Sequence, residues 1–306
     1  MNVLSLFNGM STGHLALKNI GVKVDKYYSS EIKKHAIELT QYHDTKTIQL
    51  GNILNWKEWD IDYSKIDLIL SGSPCKDLSI AGKRKGLKGD NSGLFYVFLE
   101  ILEHTRKFNK DVIFFQENVG SADVQEVNKI SSCLGVQPVR INSNLLTAQN
   151  RDRYYWSNGK TKKIGLFGEL QTDISQPKDA KIFLKDILTS GYTDRKKGRT
   201  MLESESRQNT DLDKLHKRYK EIGMINIVFE INNVRSLNKI ELCRLQGFPD
   251  NYCDILTRNK AASLLGDGWT LPIIEHIFRE IFNENVNNIA VGTLEEYDKN
   301  YMKGEK

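Results

Sequence analysis

The feature that most constrains this 306-residue chain is the alternation of short β-type runs with amphipathic helical stretches over about its first 160 residues. This alternation is typical of an α/β fold, in which helices cover the faces of a mostly parallel sheet. Gly21 and Gly135 each follow a helical stretch, where glycine suits a left-handed C-cap. The pattern predicts strands over 2–7, 24–30, 66–71, 112–116, 137–141 and 153–157, and helices over 12–20, 92–102 and 122–134.

The periodicity fades after the last of these strands and returns near residue 235. We therefore expect a catalytic and cofactor-binding domain over 1–156 and a small inserted region over 157–234. A return segment over 235–283 would complete the catalytic domain, with helices at 239–246, 258–265 and 271–283. A polar tail would follow over 284–306. The inserted region holds 15 Lys and Arg against 11 Asp and Glu, in a chain of net charge +5. This bias favours a nucleic-acid surface, although a solvated lysine-rich face explains it equally well.

Several classes of protein are disfavoured. The longest apolar runs are far shorter than the roughly 20 residues that cross a bilayer, and no basic stretch precedes an apolar one at the start, so neither a membrane span nor a secretory signal is expected. The four cysteines form no CxxC pair, which argues against a zinc site and a dense disulfide framework. We expect a cytoplasmic protein without a metal.

A glycine-containing turn closes the first predicted strand. It reads Phe7-Asn8-Gly9-Met10-Ser11-Thr12-Gly13 and leads into the first helix. Glycines in such a turn let a ligand approach the backbone, and helix amides point toward it, so a nucleotide-type cofactor fits. Glu31 follows the second strand, where a carboxylate can accept hydrogen bonds from ribose hydroxyls. A purely structural turn and an exposed surface glutamate remain the alternatives.

The segment Ser71-Gly72-Ser73-Pro74-Cys75-Lys76-Asp77-Leu78-Ser79 directly follows the apolar strand at 66–71. Ligands of open α/β sheets bind at the carboxyl ends of the strands, so a thiol beside a rigid proline at this edge is a candidate nucleophile. A lone cysteine is more often a buried filler, and we interpret Cys133, Cys243 and Cys253 in that way.

These segments together resemble the DNA cytosine-5 methyltransferase family, in the family's order and over nearly the whole chain. The glycine turn resembles its cofactor loop, Ser73-Pro74-Cys75 its nucleophile motif, and Glu117-Asn118-Val119 its second catalytic motif. Three further matches follow: Gln149-Asn150-Arg151-Asp152-Arg153, then Arg235-Ser236-Leu237 with Arg244-Leu245-Gln246-Gly247-Phe248-Pro249, and finally Gly266-Asp267-Gly268-Trp269. The motifs look closest to the animal de novo branch, without its regulatory domains.

The resemblance implies a Rossmann-like methyltransferase fold with a target-recognition region at 157–234, S-adenosylmethionine as cofactor, and double-stranded DNA as substrate. We expect a monomer, with a dimer as the alternative. Cys75 would add to carbon 6 of a flipped cytosine, Glu117 would bind nitrogen 3, and Arg153 the carbonyl oxygen. Arg151, Pro74 and Asn118 would support this set. The implied cofactor residues are Phe7, Asn8, Gly9, Ser11, Thr12, Gly13, Glu31, Ile32, Asn52, Ile53, Ser73, Asp267 and Trp269. The implied DNA contacts are Lys76, Ser79, Lys83, Arg84, Lys85, Arg195, Lys196, Lys197, Arg199 and Arg235.

Four positions depart from the common family pattern, namely Asn8, Asn52, Lys76 and Asp267. Three other functions stay open. An RNA cytosine methyltransferase shares the catalytic set, a DNA-binding homologue without activity would have lost part of it, and a nicotinamide oxidoreductase would explain only the glycine turn.

Overall fold

The apolar runs of the sequence form the strands of one large sheet in a computed structural model, which describes residues 1–74, 93–207, 212–222 and 225–282. The strands are β1 (Asn2–Leu6), β2 (Lys26–Ser30), β3 (Ile48–Gln49), β4 (Leu68–Ser71), β5 (Ile113–Val119), β6 (Val139–Asn142), β7 (Asp152–Ser157), β8 (Thr161–Ile164), β9 (Glu169–Thr172), β10 (Ile227–Glu230) and β11 (Asn233–Ser236). The α-helices are α1 (Thr12–Asn19), α2 (Lys34–His43), α3 (Leu94–Arg106), α4 (Val124–Leu134), α5 (Leu212–Lys217), α6 (Lys239–Leu245), α7 (Arg258–Asp267) and α8 (Leu271–Phe282).

The large sheet has seven strands in the order β3-β2-β1-β4-β5-β7-β6. The five strands from β3 to β5 are parallel, whereas β7 runs antiparallel to both β5 and β6. The central strands read as continuous apolar runs because both of their faces are buried; Leu4, Leu6 and Leu70 have no exposed surface. The mostly parallel sheet predicted from the sequence is confirmed.

Helices pack against this sheet through apolar faces. Phe95 and Phe98 of α3 are fully buried in the same core cluster as Leu4 of β1. Helix α4 begins where the side chain of Asp123 accepts a hydrogen bond from the backbone N–H of Gln125, and it ends at Gly135, whose φ of 72° is the left-handed cap that the sequence predicts.

The chain forms two compact units. The first comprises Met1–Asn142, Arg151–Gln176 and Glu280–Phe282, and contains the large sheet. The second includes Ser143–Asn150 and Pro177–Arg279. These bounds differ from the predicted ones, since 157–176 lie in the sheet unit and 235–279 lie in the second unit. For 157–176 the reason is local pairing: β9 bridges to Gln137 beside β6, and Lys160 pairs with Glu280 at 2.9 Å.

Among the described residues, no helix combines the length and apolar character needed to cross a membrane.

Candidate active site

Glu117 and Arg153 form an ion pair at the carboxyl end of β5. The Nε atom of Arg153 lies 2.8 Å from Oε1 of Glu117, and the two side chains are only 12% and 13% exposed. The register of β5 and β7 produces this pair, because Val119 lies opposite Arg153 at the end of the strand. A charge-assisted hydrogen bond in so enclosed a position fixes both side chains.

The backbone carbonyl of Asp152 holds Arg153 in place. It accepts hydrogen bonds from Nη1 of Arg153 at 2.8 Å and from the N–H of Gly120 at 2.9 Å. A Cβ atom on Gly120 would lie 2.7 Å from Asp152, so only glycine fits. The carboxylate of Asp152 in turn accepts from Nε of Arg140 at 2.8 Å. Gly120 was missed in the sequence, although its place directly after Glu117-Asn118-Val119 was a usable signal.

Gln116 connects the end of β5 to the segment that precedes Cys75. Its Nε2 atom donates to the hydroxyl of Ser73 at 3.1 Å and to the carbonyl of Glu117 at 2.7 Å. Both Gln116 and Ser73 are buried. This glutamine was also missed; a polar residue that closes an otherwise apolar strand is the signal that could have found it.

Pro74 is the last residue described before a gap. Cys75 lies outside the described residues, and so do five predicted DNA contacts: Lys76, Ser79, Lys83, Arg84 and Lys85. Their roles stay predictions. Of the other three cysteines, Cys243 and Cys253 are buried as expected, whereas Cys133 is exposed on α4, so the prediction that it fills the core is wrong.

Two more predicted catalytic residues are buried near the ion pair. Arg151 is buried, and its backbone N–H donates to Oδ1 of Asn142 at 3.0 Å. The Oδ1 atom of Asn118 accepts from the N–H of Val119 at 2.8 Å, while its Nδ2 atom has no hydrogen-bond partner among the described residues. Burial raises the pKa of Tyr155, Glu117 adds to that rise, and Arg153 and Arg151 oppose it. Asp152 also raises this pKa, so four charged side chains act on one buried hydroxyl.

The predicted cofactor loop has an unusual backbone. Phe7, Gly9 and Ser11 all have left-handed conformations, with φ of 56°, 57° and 62°. The N–H of Gly9 donates to Oε2 of Glu31 at 2.7 Å, and Oε1 of Glu31 accepts from the N–H groups of Ile32 and Lys33 at 2.7 and 2.8 Å. Glu31 is therefore no ordinary surface glutamate, because it ties together the ends of β1 and β2.

A second part of the predicted cofactor site follows β3. Oδ1 of Asn52 accepts from the N–H of Leu54 at 3.0 Å and so caps a short 3-10 helix, Ile53–Glu58. The side chain of Ile53 belongs to the core, which leaves only its backbone available for a ligand. By contrast, Ile32 and Leu54 are 71% and 60% exposed, and both follow neighbouring parallel strands. Leu54 was not predicted as a site residue.

The remaining predicted cofactor residues lie at the start of α1 and at the end of α7. Thr12 and Gly13 start α1 and are buried. Asp267 is the last residue of α7 and Trp269 follows it, both in the second unit. In that unit Gln149 is buried, and its Nε2 atom donates to Oε1 of Gln246 at 2.8 Å. The sequence analysis did not predict that Gln246 holds Gln149, the first residue of the segment Gln149-Asn150-Arg151-Asp152-Arg153.

The basic residues near 195–199 have separate environments. Arg195 stacks over the ring of Tyr219 at 4.0 Å and donates to the carbonyl of Ile225 at 2.8 Å. Lys197 donates from Nζ to three carbonyls, those of Asn144, Thr147 and Ile182, at 2.6, 2.9 and 2.5 Å. All three of its donors are used within the protein, so the prediction that Lys197 contacts DNA needs correction.

The side chain of Arg199 is exposed, and its backbone is held by two hydrogen bonds to one residue, Asn226. Its N–H donates to Oδ1 of Asn226 at 2.8 Å, and its carbonyl accepts from Nδ2 of the same residue at 3.1 Å. The preceding Gly198 accepts from the N–H of Asn150 at 2.9 Å. Lys196 is also exposed, with Nζ 4.9 Å from the centre of the Phe183 ring.

Arg235 was predicted to contact DNA, and the structure corrects this prediction too. Its guanidinium pairs with Glu230 at 2.8 Å and with Glu241 at 2.7 Å, and it donates to the carbonyl of Ser190 at 3.1 Å. The Glu241 side chain has no exposed surface. Arg235 therefore compensates a buried carboxylate, which gives it a structural role.

Within the parts of the chain that the structure describes, no group of three or more His, Cys, Asp and Glu side chains is placed to hold a metal ion.

Comparison with known proteins assigns the chain to a family. The model of the C-5 cytosine-specific DNA methylases matches residues 1–230 and 189–283, which together include every motif discussed above. The chain belongs to this family, as its motifs indicated.

Two relatives illustrate the extent of the likeness. An orphan methyltransferase of Bacillus phage SPR is 31% identical over an alignment of 170 positions, which covers 51% of this chain and 37% of the phage protein. A type II methyltransferase of Lactococcus lactis subsp. cremoris is 26% identical over an alignment of 306 positions, which covers 90% of this chain and 76% of that protein. The match thus spans little more than a third of the phage relative.

Solved structures confirm the fold. The Entamoeba histolytica methyltransferase EhMeth gives a TM-score of 0.65 at 15% identity and covers 94% of this chain and 99% of that one. A putative DNA modification methyltransferase encoded by a prophage of E. coli gives 0.61 at 18% identity, covering 92% and 99%. The predicted α/β, Rossmann-like methyltransferase fold is confirmed.

Proposed function

We propose that this protein is a DNA (cytosine-5)-methyltransferase. In this proposal a cytosine is flipped out of duplex DNA, the Cys75 thiolate adds to carbon 6, and a methyl group is transferred to carbon 5. The enclosed Glu117–Arg153 pair is the observation that carries the proposal, because it lies at the same sheet edge as Ser73 and Pro74, which lead into Cys75.

The chemistry requires the two groups of this pair. Addition of a thiolate to carbon 6 leaves negative charge on the ring, so a proton or hydrogen-bond donor must reach nitrogen 3. Glu117, a carboxylate paired with Arg153 before the base enters, would take up a proton from water and pass it to nitrogen 3, and Arg153 would bind the carbonyl oxygen of the ring. A guanidinium held by Glu117 and the Asp152 carbonyl is already oriented, so little reorganisation accompanies substrate entry.

The later steps restore the enzyme. Carbon 5, now part of an enamine, takes the methyl group, a base removes the carbon-5 proton, and the Cys75 thiolate leaves as the ring double bond re-forms. Nitrogen 3 returns its proton to Glu117. The target base must leave the helical stack first, at a cost of a few kcal/mol.

The residues of the loop at 7–13 fit S-adenosylmethionine. Glu31 uses three acceptor positions on backbone N–H groups, and a carboxylate offers about four, so one remains for a ribose hydroxyl. The Ser11 hydroxyl is buried next to the Tyr27 hydroxyl and makes no hydrogen bond of regular geometry among the described residues, as expected of a group that meets a ligand. The exposed side chains of Ile32 and Leu54 offer apolar surface for the adenine. The bound cofactor would supply an electrophilic methyl group.

Target recognition is proposed for the second unit, with Arg199 as its first DNA contact to test. Its exposed side chain extends from a backbone held on both sides by Asn226, and a preorganised arginine suits a phosphate or a guanine edge. Lys197 and Arg235 are withdrawn from this role because their donors are engaged elsewhere. Arg195, which stacks over Tyr219 and donates from Nη1 to Ile225, stays a second candidate. Bacterial and phage relatives support action on genomic or phage DNA in a prokaryotic cytoplasm.

The test is transfer of labelled methyl from S-adenosylmethionine to duplex DNA and, separately, to transfer RNA. Wild type is compared with Cys75→Ala and with Cys133→Ala, a matched change at an exposed cysteine on α4. We expect label in DNA cytosine with wild type and Cys133→Ala, and none with Cys75→Ala. Label in transfer RNA alone would support the RNA methyltransferase instead, and DNA binding without transfer would indicate a binding protein.

A further inference from the structure

Three side chains from different elements form a buried hydrogen-bonded chain next to the loop at 7–13. The hydroxyl of Tyr27, in β2, donates to Oδ1 of Asn8 at 3.0 Å. Nδ2 of Asn8 then donates to the hydroxyl of Thr40, in α2, at 3.2 Å. Tyr27 is 3% exposed, Asn8 9% and Thr40 1%. Asn8 is therefore held from both sides, and its side-chain atoms face the protein.

The loop that Asn8 belongs to needs such support. Three alternate residues of the loop, Phe7, Gly9 and Ser11, have a left-handed backbone conformation. Residues other than glycine adopt this conformation only where their surroundings hold it. Asn8 makes two backbone bonds as well, since its N–H donates to the carbonyl of Ser30 and its carbonyl accepts from the N–H of Ser11. Its neighbour Gly9 donates to Glu31. A shift of Asn8 would move both the Gly9 amide and the Ser11 hydroxyl.

We propose that Tyr27 and Thr40 are positioning residues for cofactor binding. They act through Asn8, which holds the loop at 7–13 and does not itself touch the cofactor. This inference rests on the proposed function, because it assumes that S-adenosylmethionine binds at this loop. It also explains the departure of Asn8 from the family pattern: a carboxamide accepts from Tyr27 and donates to Thr40 within one side chain.

Small changes can test this chain without removing its packing. The Tyr27 ring stacks on His14 at 4.3 Å and 15°, so Tyr27→Phe removes only the hydroxyl. Burial raises the pKa of Tyr27 to about 12, which keeps the hydroxyl a donor at working pH. The Asn8 side chain contacts both Tyr27 and Thr40. Asn8→Ala removes both.

The experiment measures the dissociation constant of S-adenosylhomocysteine by calorimetry, together with kcat and KM for S-adenosylmethionine on duplex DNA. We expect about fivefold weaker binding for Tyr27→Phe and about tenfold or more for Asn8→Ala, as expected for one and two net hydrogen bonds. KM should rise in the same ratios, while kcat at saturating cofactor stays unchanged.

A matched pair of threonines separates positioning from general stability. Thr40→Val removes the contact to Asn8, whereas Thr105→Val removes an equally buried hydroxyl that donates to the carbonyl of Ile101 within α3 at 2.8 Å. Only Thr40→Val should weaken binding. Equal loss in both variants, or wild-type binding by Tyr27→Phe and Asn8→Ala, would overturn the inference while the proposed function stands. Failure of wild type to bind S-adenosylhomocysteine would overturn both.

Discussion

Replacement of Lys197 by methionine should destabilise the protein without weakening its contact with DNA. Nζ of Lys197 donates to the carbonyls of Asn144, Thr147 and Ile182. Hydrogen bonds from a charged donor contribute roughly 1.5–3 kcal/mol each. Because the side chain is only half-buried, water can replace part of what is lost, and we expect a net cost of about 2–4 kcal/mol.

Thermal unfolding followed by tryptophan fluorescence measures this cost, which corresponds to a fall of roughly 3–6 °C in the melting temperature of a chain of this length. Lys196→Met is the matched control, since Lys196 is the exposed neighbour whose Nζ lies over the Phe183 ring, and it should change stability by less than about 1 kcal/mol. If Lys197→Met melts like wild type but binds duplex DNA more weakly, Lys197 is the DNA contact that the sequence first predicted, and the structural argument is wrong.

Three further outcomes are expected. Glu117→Gln should lower kcat for methyl transfer by about 10²- to 10⁴-fold, because the amide cannot pass a proton to nitrogen 3, while calorimetry should find S-adenosylhomocysteine binding within about twofold of wild type. Arg199→Ala should lower the slope of log affinity against log salt by about 1, and an unchanged slope in filter binding would remove it from the DNA surface. Arg235→Met should cost about 3–5 kcal/mol, because it leaves the buried Glu241 carboxylate without its guanidinium. Burial acts to raise the pKa of Glu241, but Arg235 and backbone N–H groups hold it below its usual value. The contribution of Glu241 to the free energy of unfolding is therefore present above about pH 4.5 and lost as pH falls through the lowered pKa. In Arg235→Met this loss of stability should begin at higher pH. Thermal unfolding measured between pH 4 and 8 would detect the difference.

The catalytic sheet could be predicted because its residues carry local signals. Both faces of β1 and β4 are buried, so these strands are continuous apolar runs, and Gly135 marks the end of α4 by itself. The prediction stopped short at β5, which was expected to end at Gln116 but continues to Val119. Its last residues are polar and are held in the strand by pairing with β7, a contact that no local pattern records.

Helix α2 was missed for the opposite reason. Its N-cap, Lys33, makes no side-chain cap hydrogen bond, and its first turn contains no acidic residue. The usual signals of a helix start are therefore lacking in the sequence.

The sequence predicted the kind of active site, but not which basic residues are available to contact DNA. Motif order identified Glu117 and Arg153, yet sequence could not distinguish Lys197 from Arg199, two residues away. Lys197 is engaged because separate loops bring three carbonyls to its Nζ atom, whereas Arg199 is exposed. Charge is visible in a sequence, but the partners that neutralise it are assembled only in the folded chain.

The central claim is methylation of cytosine at carbon 5 through Cys75. The most direct measurement is mass spectrometry of nucleosides from duplex DNA incubated with the protein and S-adenosylmethionine. We predict 5-methyl-2'-deoxycytidine with wild type and none with Cys75→Ala. A methyl group on an exocyclic nitrogen of cytosine or adenine, or 5-methyl-2'-deoxycytidine formed equally by Cys75→Ala, would contradict the mechanism.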